Sequence, residues 1–132
     1  MPGETILIVD DHPTNLKLAR VLFSAEGYDV HTAASAAEAL GVLAGLRPHL
    51  ILMDLLLPDT HGLELTRRLK ADPGTRDIPI VALTAFAMKG DDEKALQAGC
   101  DGYVSKPIDT RALVSVVADH LGKRQGQAAG SM

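Results

Sequence analysis

The sequence predicts an α/β fold, a doubly wound five-stranded parallel sheet of strand order 2-1-3-4-5 with five helices. Three observations lead there. Short runs rich in Val, Ile and Leu recur along the chain without polar alternation, as strands buried on both faces of a parallel sheet do. Stretches with helical spacing separate these runs, so strand and helix alternate from end to end. The right-handed crossover rule then favours an open sheet with helices on both faces, and 2-1-3-4-5 is a common order for it.

The first strand is read at Ile6-Leu7-Ile8-Val9. The first helix starts at Pro13, a residue suited to the first helical turn, and stops at Gly27, with Leu18, Ala19, Leu22 and Phe23 on its buried face. Asp29-Val30-His31-Thr32-Ala33 alternates in polarity, as an edge strand does. Ser35, followed three residues later by Glu38, forms a capping box for the second helix, which runs toward Leu46 and is closed by Pro48. The third strand is Leu50-Ile51-Leu52-Met53; the helix after Gly62 carries Leu65, Leu69 and the basic group Arg67, Arg68, Lys70 until Asp72-Pro73-Gly74 breaks it. Ile80-Val81-Ala82-Leu83 is the fourth strand and Asp91 to Ala98 the fourth helix, ended by Gly99. Tyr103-Val104 is a weaker fifth strand; Asp109 caps a fifth helix that buries Leu113, Val117 and Leu121.

Composition narrows the function. A chain of 132 residues is one ordinary domain, expected over residues 1–122, with no room for a second output domain. The stretch 123–132, rich in Gly, Gln and Ala, has no apolar face and is expected to be a disordered tail. The net charge is −4, the wrong sign for a surface that neutralises nucleic-acid phosphates. No apolar run reaches the length of a membrane span, and the start lacks the basic residues of a secretory signal. With Cys100 the only cysteine, internal disulfides and cysteine zinc cages are excluded, and a reducing, cytoplasmic setting fits.

In an open parallel sheet the functional crevice lies at the carboxyl ends of the strands, beside the point where strand order reverses. There the sequence places Asp10-Asp11 after strand one and Asp54 after strand three. Three carboxylates brought together repel one another and stay ionised only beside a cation. An oxygen-only set with room for water suits Mg2+ better than zinc. Strand four ends in Thr84 and strand five in Ser105-Lys106-Pro107, adding a hydroxyl and an ammonium. These are parts for receiving a phosphoryl group: a carboxylate nucleophile, cations to offset charge, and a hydroxyl to hydrogen-bond an oxygen. Taken singly, each has a plain structural use as a helix cap, a loop or a strand residue. Their arrival at the carboxyl ends of separate strands is what carries the functional reading.

Over Thr5 to Leu121 the chain resembles the receiver domains of two-component response regulators, whose fold is flavodoxin-like and CheY-like. The resemblance rests on Ile6-Leu7-Ile8-Val9-Asp10-Asp11, on Leu52-Met53-Asp54-Leu55-Leu56-Leu57-Pro58 followed by Gly62, on Leu83-Thr84-Ala85 and on Ser105-Lys106-Pro107. It implies that Asp54 accepts a phosphoryl group from the phosphohistidine of a sensor histidine kinase or phosphotransfer protein. It further implies that Asp11, Asp54 and the backbone carbonyl of Leu56 bind Mg2+, that Asp10 holds a metal-bound water, and that Lys106 pairs with the phosphoryl group before a cis bond to Pro107. Thr84 and Tyr103 look like a switch pair that reshapes the face made by helix four, strand five and helix five, where a downstream target protein would bind. The text from Thr84 to Asp91, with Ala98-Gly99-Cys100, looks like the single-domain regulators of the DivK type.

Leu56 and Phe86, two residues after Asp54 and Thr84, cannot orient an attacking water, so slow loss of the phosphoryl group is expected. The five histidines show no metal-ligand spacing and read as scattered exposed residues, although His12 and His61 map to the edge of the crevice, which leaves transition-metal occupancy there open. Arg67, Arg68 and Lys70 read as a solvated face, and Cys100 as a buried or half-buried free thiol. Leu16 lies off the expected core stripe of helix one, which the family uses to dock kinase helices, and so reads either as a partner contact or as an ordinary surface leucine. Three other readings remain. One is a receiver belonging to a hybrid kinase or multidomain regulator. Another is a Mg2+-dependent phosphohydrolase, opposed by Leu56 where a general acid is needed. The last is a flavin binder, opposed by the acidic loop after strand one.

Overall fold

The computed structural model describes residues 3–55, 57–84, 91–105, 111 and 113–121. Its strands are β1 (Thr5–Val9), β2 (Asp29–Ala33), β3 (Leu50–Asp54), β4 (Ile80–Thr84) and β5 (Gly102–Ser105). They form one sheet of order β2-β1-β3-β4-β5, every neighbouring pair parallel. The helices are α1 (Pro13–Ala25), α2 (Ala36–Leu43), α3 (Gly62–Ala71) and α4 (Asp91–Ala98), with a fifth, α5, over residues 113–121. The expected N-cap of α5, Asp109, lies outside the described residues.

The period of two along each strand divides the core. Leu7, Val9, Ile51, Met53, Ile80 and Ala82 point to the side covered by α2, α3 and α4, where they meet Ala36, Ala39, Leu65, Leu69 and Ala95. Ile6, Ile8, Leu50, Leu52, Val81 and Leu83 point to the side covered by α1 and α5, against Phe23, Leu113, Val117 and Leu121. Burying both faces is why these strands are apolar without interruption.

α1 departs from the expected register. Phe23 is fully buried, and Leu16, Ala19 and Leu22 pack beside it, whereas Leu18 is 51% exposed and Val21 62%. Leu16 and Leu18 therefore exchange roles: the former belongs to the core and the latter faces outward. α1 ends in a Schellman motif at Gly27, whose φ is +92°: Tyr28 N donates to Phe23 O and Gly27 N to Ser24 O. The Phe23 and Tyr28 rings pack over this turn, 6.0 Å apart. α2 is shorter than expected, ending at Leu43 rather than toward Leu46.

Lys70 is not part of a solvated basic face. Its Nζ donates to Ile78 O at 2.8 Å, Asp101 Oδ2 at 3.0 Å and Arg76 O at 3.1 Å, while Asp101 Oδ2 also accepts Ile80 N at 2.9 Å. This ties α3, the segment before β4 and the turn before β5 together at the end of the sheet opposite the crevice.

Candidate functional site

β1 and β3 are neighbours although α1, β2 and α2 lie between them in sequence, so strand order reverses at this pair. Their register pairs Val9 with Met53, which sets Asp10 and Asp54 side by side as the next residues along the two adjacent strands. Both are 2% exposed. Ligand atoms of Asp10, Asp11, Asp54 and His12 all lie within 4.8 Å of one another.

Asp10 is held from several directions. Its Oδ1 accepts the His12 backbone N–H at 2.9 Å and lies 3.1 Å from His12 Nδ1, while its Oδ2 accepts Asn15 Nδ2 at 3.3 Å. Asp11 Oδ1 lies 3.1 Å from His12 Nδ1 but is buried and accepts no hydrogen bond from the described residues. A sequestered carboxylate oxygen without a donor, among other carboxylates, fits a cation better than it fits an ion-free cluster. The hard, oxygen-dominated set suits Mg2+. His12, expected at the edge of the crevice, joins this group through the turn after β1 rather than through ligand spacing in the sequence, whereas His61 does not.

The loop after Asp54 is anchored by its neighbours. Leu55 N donates to Leu83 O at 3.1 Å, and Gly62 N closes back onto Leu55 O at 2.8 Å. Gly62 is buried against the main chain of the acceptor residue: a Cβ built on it falls 2.5 Å from Asp54 O and 2.7 Å from Leu55 Cα. The glycine after the acceptor motif thus lets α3 begin directly on that peptide.

Asp59 supplies a second anchor. Its Oδ1 and Oδ2 accept the N–H groups of Ala36 and Ala37 at 3.0 Å each, at the start of α2. The Ala36 and Ala37 amides hold its carboxyl below the usual range. Ser35 Oγ accepts Glu38 N at 3.1 Å, as the capping box predicts. Asp59 lines, with Asp11, Leu57 and His61, an open hollow of about 330 Å3 beside the acidic cluster.

On the other side of Asp54 the register pairs Thr84 with Ser105 and Ala82 with Tyr103. Tyr103 is half-buried against the apolar cluster shared with α3 and α4. Leu56, Phe86, Lys106 and Pro107, and the side chains of Thr84 and Ser105, lie outside the described residues. Three of the remaining histidines have structural partners: His61 Nδ1 accepts Leu63 N as the cap of α3, His49 Nδ1 accepts Thr5 N, and His31 meets Asp29. Cys100 is buried with its Sγ 3.8 Å from Thr66 Oγ1, and burial pushes the thiol's pKa up. No helix among the described residues is long and apolar enough to cross a membrane.

Comparisons with known proteins agree with this geometry. The response regulator receiver domain family matches residues 6–118. The polar-differentiation response regulator DivK of Brucella anthropi is 44% identical over 119 residues, covering 90% of this chain and 97% of DivK. A CheY-like receiver domain protein from Methanospirillum hungatei superimposes with a TM-score of 0.85 at 32% identity, covering 95% of this chain and 98% of its own. The receiver domain of a sensor histidine kinase from Pseudomonas aeruginosa, with a magnesium ion coordinated in its active-site cleft, gives a TM-score of 0.83 at 36% identity, covering 91% and 98%. A reversed strand pair that buries two aspartates at its carboxyl edge, in a chain matched along nearly its whole length, places this protein in the response regulator receiver domain family.

Proposed function

We propose that the chain takes a phosphoryl group from the phosphohistidine of a sensor histidine kinase or phosphotransfer protein onto Asp54, and that it signals by changing which protein binds it. The observation that carries this is Asp54 itself, 2% exposed and gathered with Asp10 and Asp11 at the switch point of the sheet. In the transfer an Asp54 carboxylate oxygen bonds to phosphorus while the bond from phosphorus to the donor's imidazole nitrogen breaks. Asp11, Asp54 and the Leu56 carbonyl would hold Mg2+, with Asp10 bonding one of its waters; when bound, the ion offsets negative charge on the phosphoryl oxygens. Lys106 supplies a further positive charge and Thr84 a hydroxyl to one oxygen. Asp10, fixed by His12 N and Asn15, keeps the acidic end of β1 in place as charge accumulates.

Thr84 and Tyr103 act as the switch, altering the face of α4, β5 and α5 that a target protein reads. The kinase side docks on α1, where Leu18 and Val21 stand exposed beside a groove of about 300 Å3 lined by Leu22, Glu26, Arg111 and Val114. The function is binding and self-directed phosphotransfer, in a reducing cytoplasm, rather than turnover of a metabolite. The likeness to a sensor kinase's receiver domain supports a second reading, a receiver working inside a larger kinase. Both readings share one test: the protein is incubated with Mg2+ and acetyl phosphate and its intact mass recorded. One phosphoryl group is gained by the wild type and by Asp77→Asn, and none by Asp54→Asn. Uptake that survives Asp54→Asn refutes the assignment.

A further inference from the structure

We infer that His12 is a ligand of the ion in the acidic cleft and tilts the cleft from Mg2+ toward divalent ions that accept imidazole nitrogen, such as Mn2+; this rests on the cleft being the metal site proposed above. His12 occupies the N-cap position of α1, yet its ring makes no capping hydrogen bond. The ring instead sits over the carboxylates, with Nδ1 3.1 Å from both Asp10 Oδ1 and Asp11 Oδ1. Neighbouring donors in an octahedral shell with bonds of about 2.1–2.2 Å stand roughly 3 Å apart, so the 3.1 Å between Nδ1 and Asp11 Oδ1 fits adjacent vertices around one ion.

The alternative role for the ring is that of an internal counter-cation, donating to both carboxylates. The geometry supports only half of that role. Nδ1 is placed to hydrogen-bond with Asp10, but Asp11 Oδ1 is left buried and without a hydrogen bond from the described residues although Nδ1 is 3.1 Å away. An ion held by both atoms satisfies the oxygen that the ring alone does not.

The backbone limits where the ring can go. Pro13 confines the preceding residue to extended conformations, and His12 has φ −91° and ψ 111°. Its N–H is pinned to Asp10 Oδ1 at 2.9 Å. Mg2+ is satisfied by oxygen and keeps its waters, whereas first-row transition ions gain from an imidazole. A cleft with His12 over it should therefore discriminate between the two classes in a way that an all-carboxylate cleft does not.

The test uses the full chain stripped of metal, Mn2+ titration followed by electron paramagnetic resonance with Mg2+ as competitor, and electron spin echo modulation of the bound Mn2+. The wild type is expected to show the nitrogen modulation of a directly coordinated imidazole. His12→Gln loses it, and the ratio of Mn2+ to Mg2+ affinity falls about tenfold. Asp11→Asn abolishes tight binding of both ions. Mn2+ that binds and depends on Asp11 but shows no imidazole nitrogen overturns the role of His12 and leaves the acidic site standing. An unchanged affinity ratio in His12→Gln has the same meaning. Binding indifferent to Asp11→Asn, or no binding at all, overturns the site and the ligand together. The wild-type spectrum decides even if a variant folds poorly.

Discussion

Replacing Gly62 with alanine tests how the acceptor is held. The added Cβ would stand 2.5 Å from the carbonyl oxygen of Asp54 and 2.7 Å from Leu55 Cα, both inside the 3.0 Å that real Cβ contacts respect, the first by half an ångström. Both atoms are main chain, so no flexible side chain can yield, and either the start of α3 or the peptide after Asp54 must move. Overpacking of this kind costs about 1–3 kcal/mol, the upper end applying where backbone must shift. For a domain of this size that is a fall in melting temperature of roughly 4–12 °C. Displacing the acceptor peptide by about half an ångström also disturbs the site, so phosphoryl uptake should slow by roughly tenfold or more. Gly41→Ala is the control: nothing lies within 4 Å of its Cβ in the exposed middle of α2, and the helix should gain up to about 1 kcal/mol. Thermal unfolding and intact-mass kinetics on the two variants give opposite signs. A Gly62→Ala protein that melts within about 1 °C of wild type and phosphorylates at the same rate would refute the reasoning.

Three further outcomes follow from the structure. Asp59 has a folded pKa below its unfolded value, so its contribution to stability is complete above about pH 4 and is lost as pH falls through the lower folded value; the melting temperatures of wild type and Asp59→Asn should differ at pH 7 and converge in acid. Phe23→Ala should cost about 3–5 kcal/mol because the ring is fully buried, whereas Leu18→Ala should stay within about 0.5 kcal/mol in denaturant unfolding while weakening any docking on α1. Cys100 should resist a thiol reagent such as iodoacetamide in the native state and react freely in urea, since it is buried and its thiol is pushed away from ionising; rapid native labelling at pH 7.5 would contradict that placement.

The parts of the fold legible in the sequence are those fixed by burial on two sides. β1, β3 and β4 fall where apolar runs without alternation demand them, and their order follows from chain-crossing rules. α1 was readable as a helix but not in its rotation. Leu16, Leu18, Ala19, Val21, Leu22 and Phe23 are so densely apolar that two neighbouring stripes both look like a core face; the burial of Phe23 settles it. At the site, Asp10, Asp11 and Asp54 were legible because strand ends converge at the switch point. His12 was legible only as a residue at the crevice edge and Asp59 not at all, since each acts through the shape of a turn. Asp59 meets α2 across 23 residues of sequence, and nothing local marks it as a cap.

The start of α2 is fully spoken for. Ala36 and Ala37 give their N–H groups to Asp59, Glu38 to the Ser35 hydroxyl and Ala39 to the Ser35 carbonyl. A helix start is ordinarily a place where phosphate settles. Here the protein has filled it with its own carboxylate, on the rim of the very hollow that borders Asp11. An incoming phosphodonor is therefore turned away from a decoy only a few residues from its target. Uptake measured against acetyl phosphate concentration should trace a single saturation curve, without the inhibition at high donor that a rival landing place would cause.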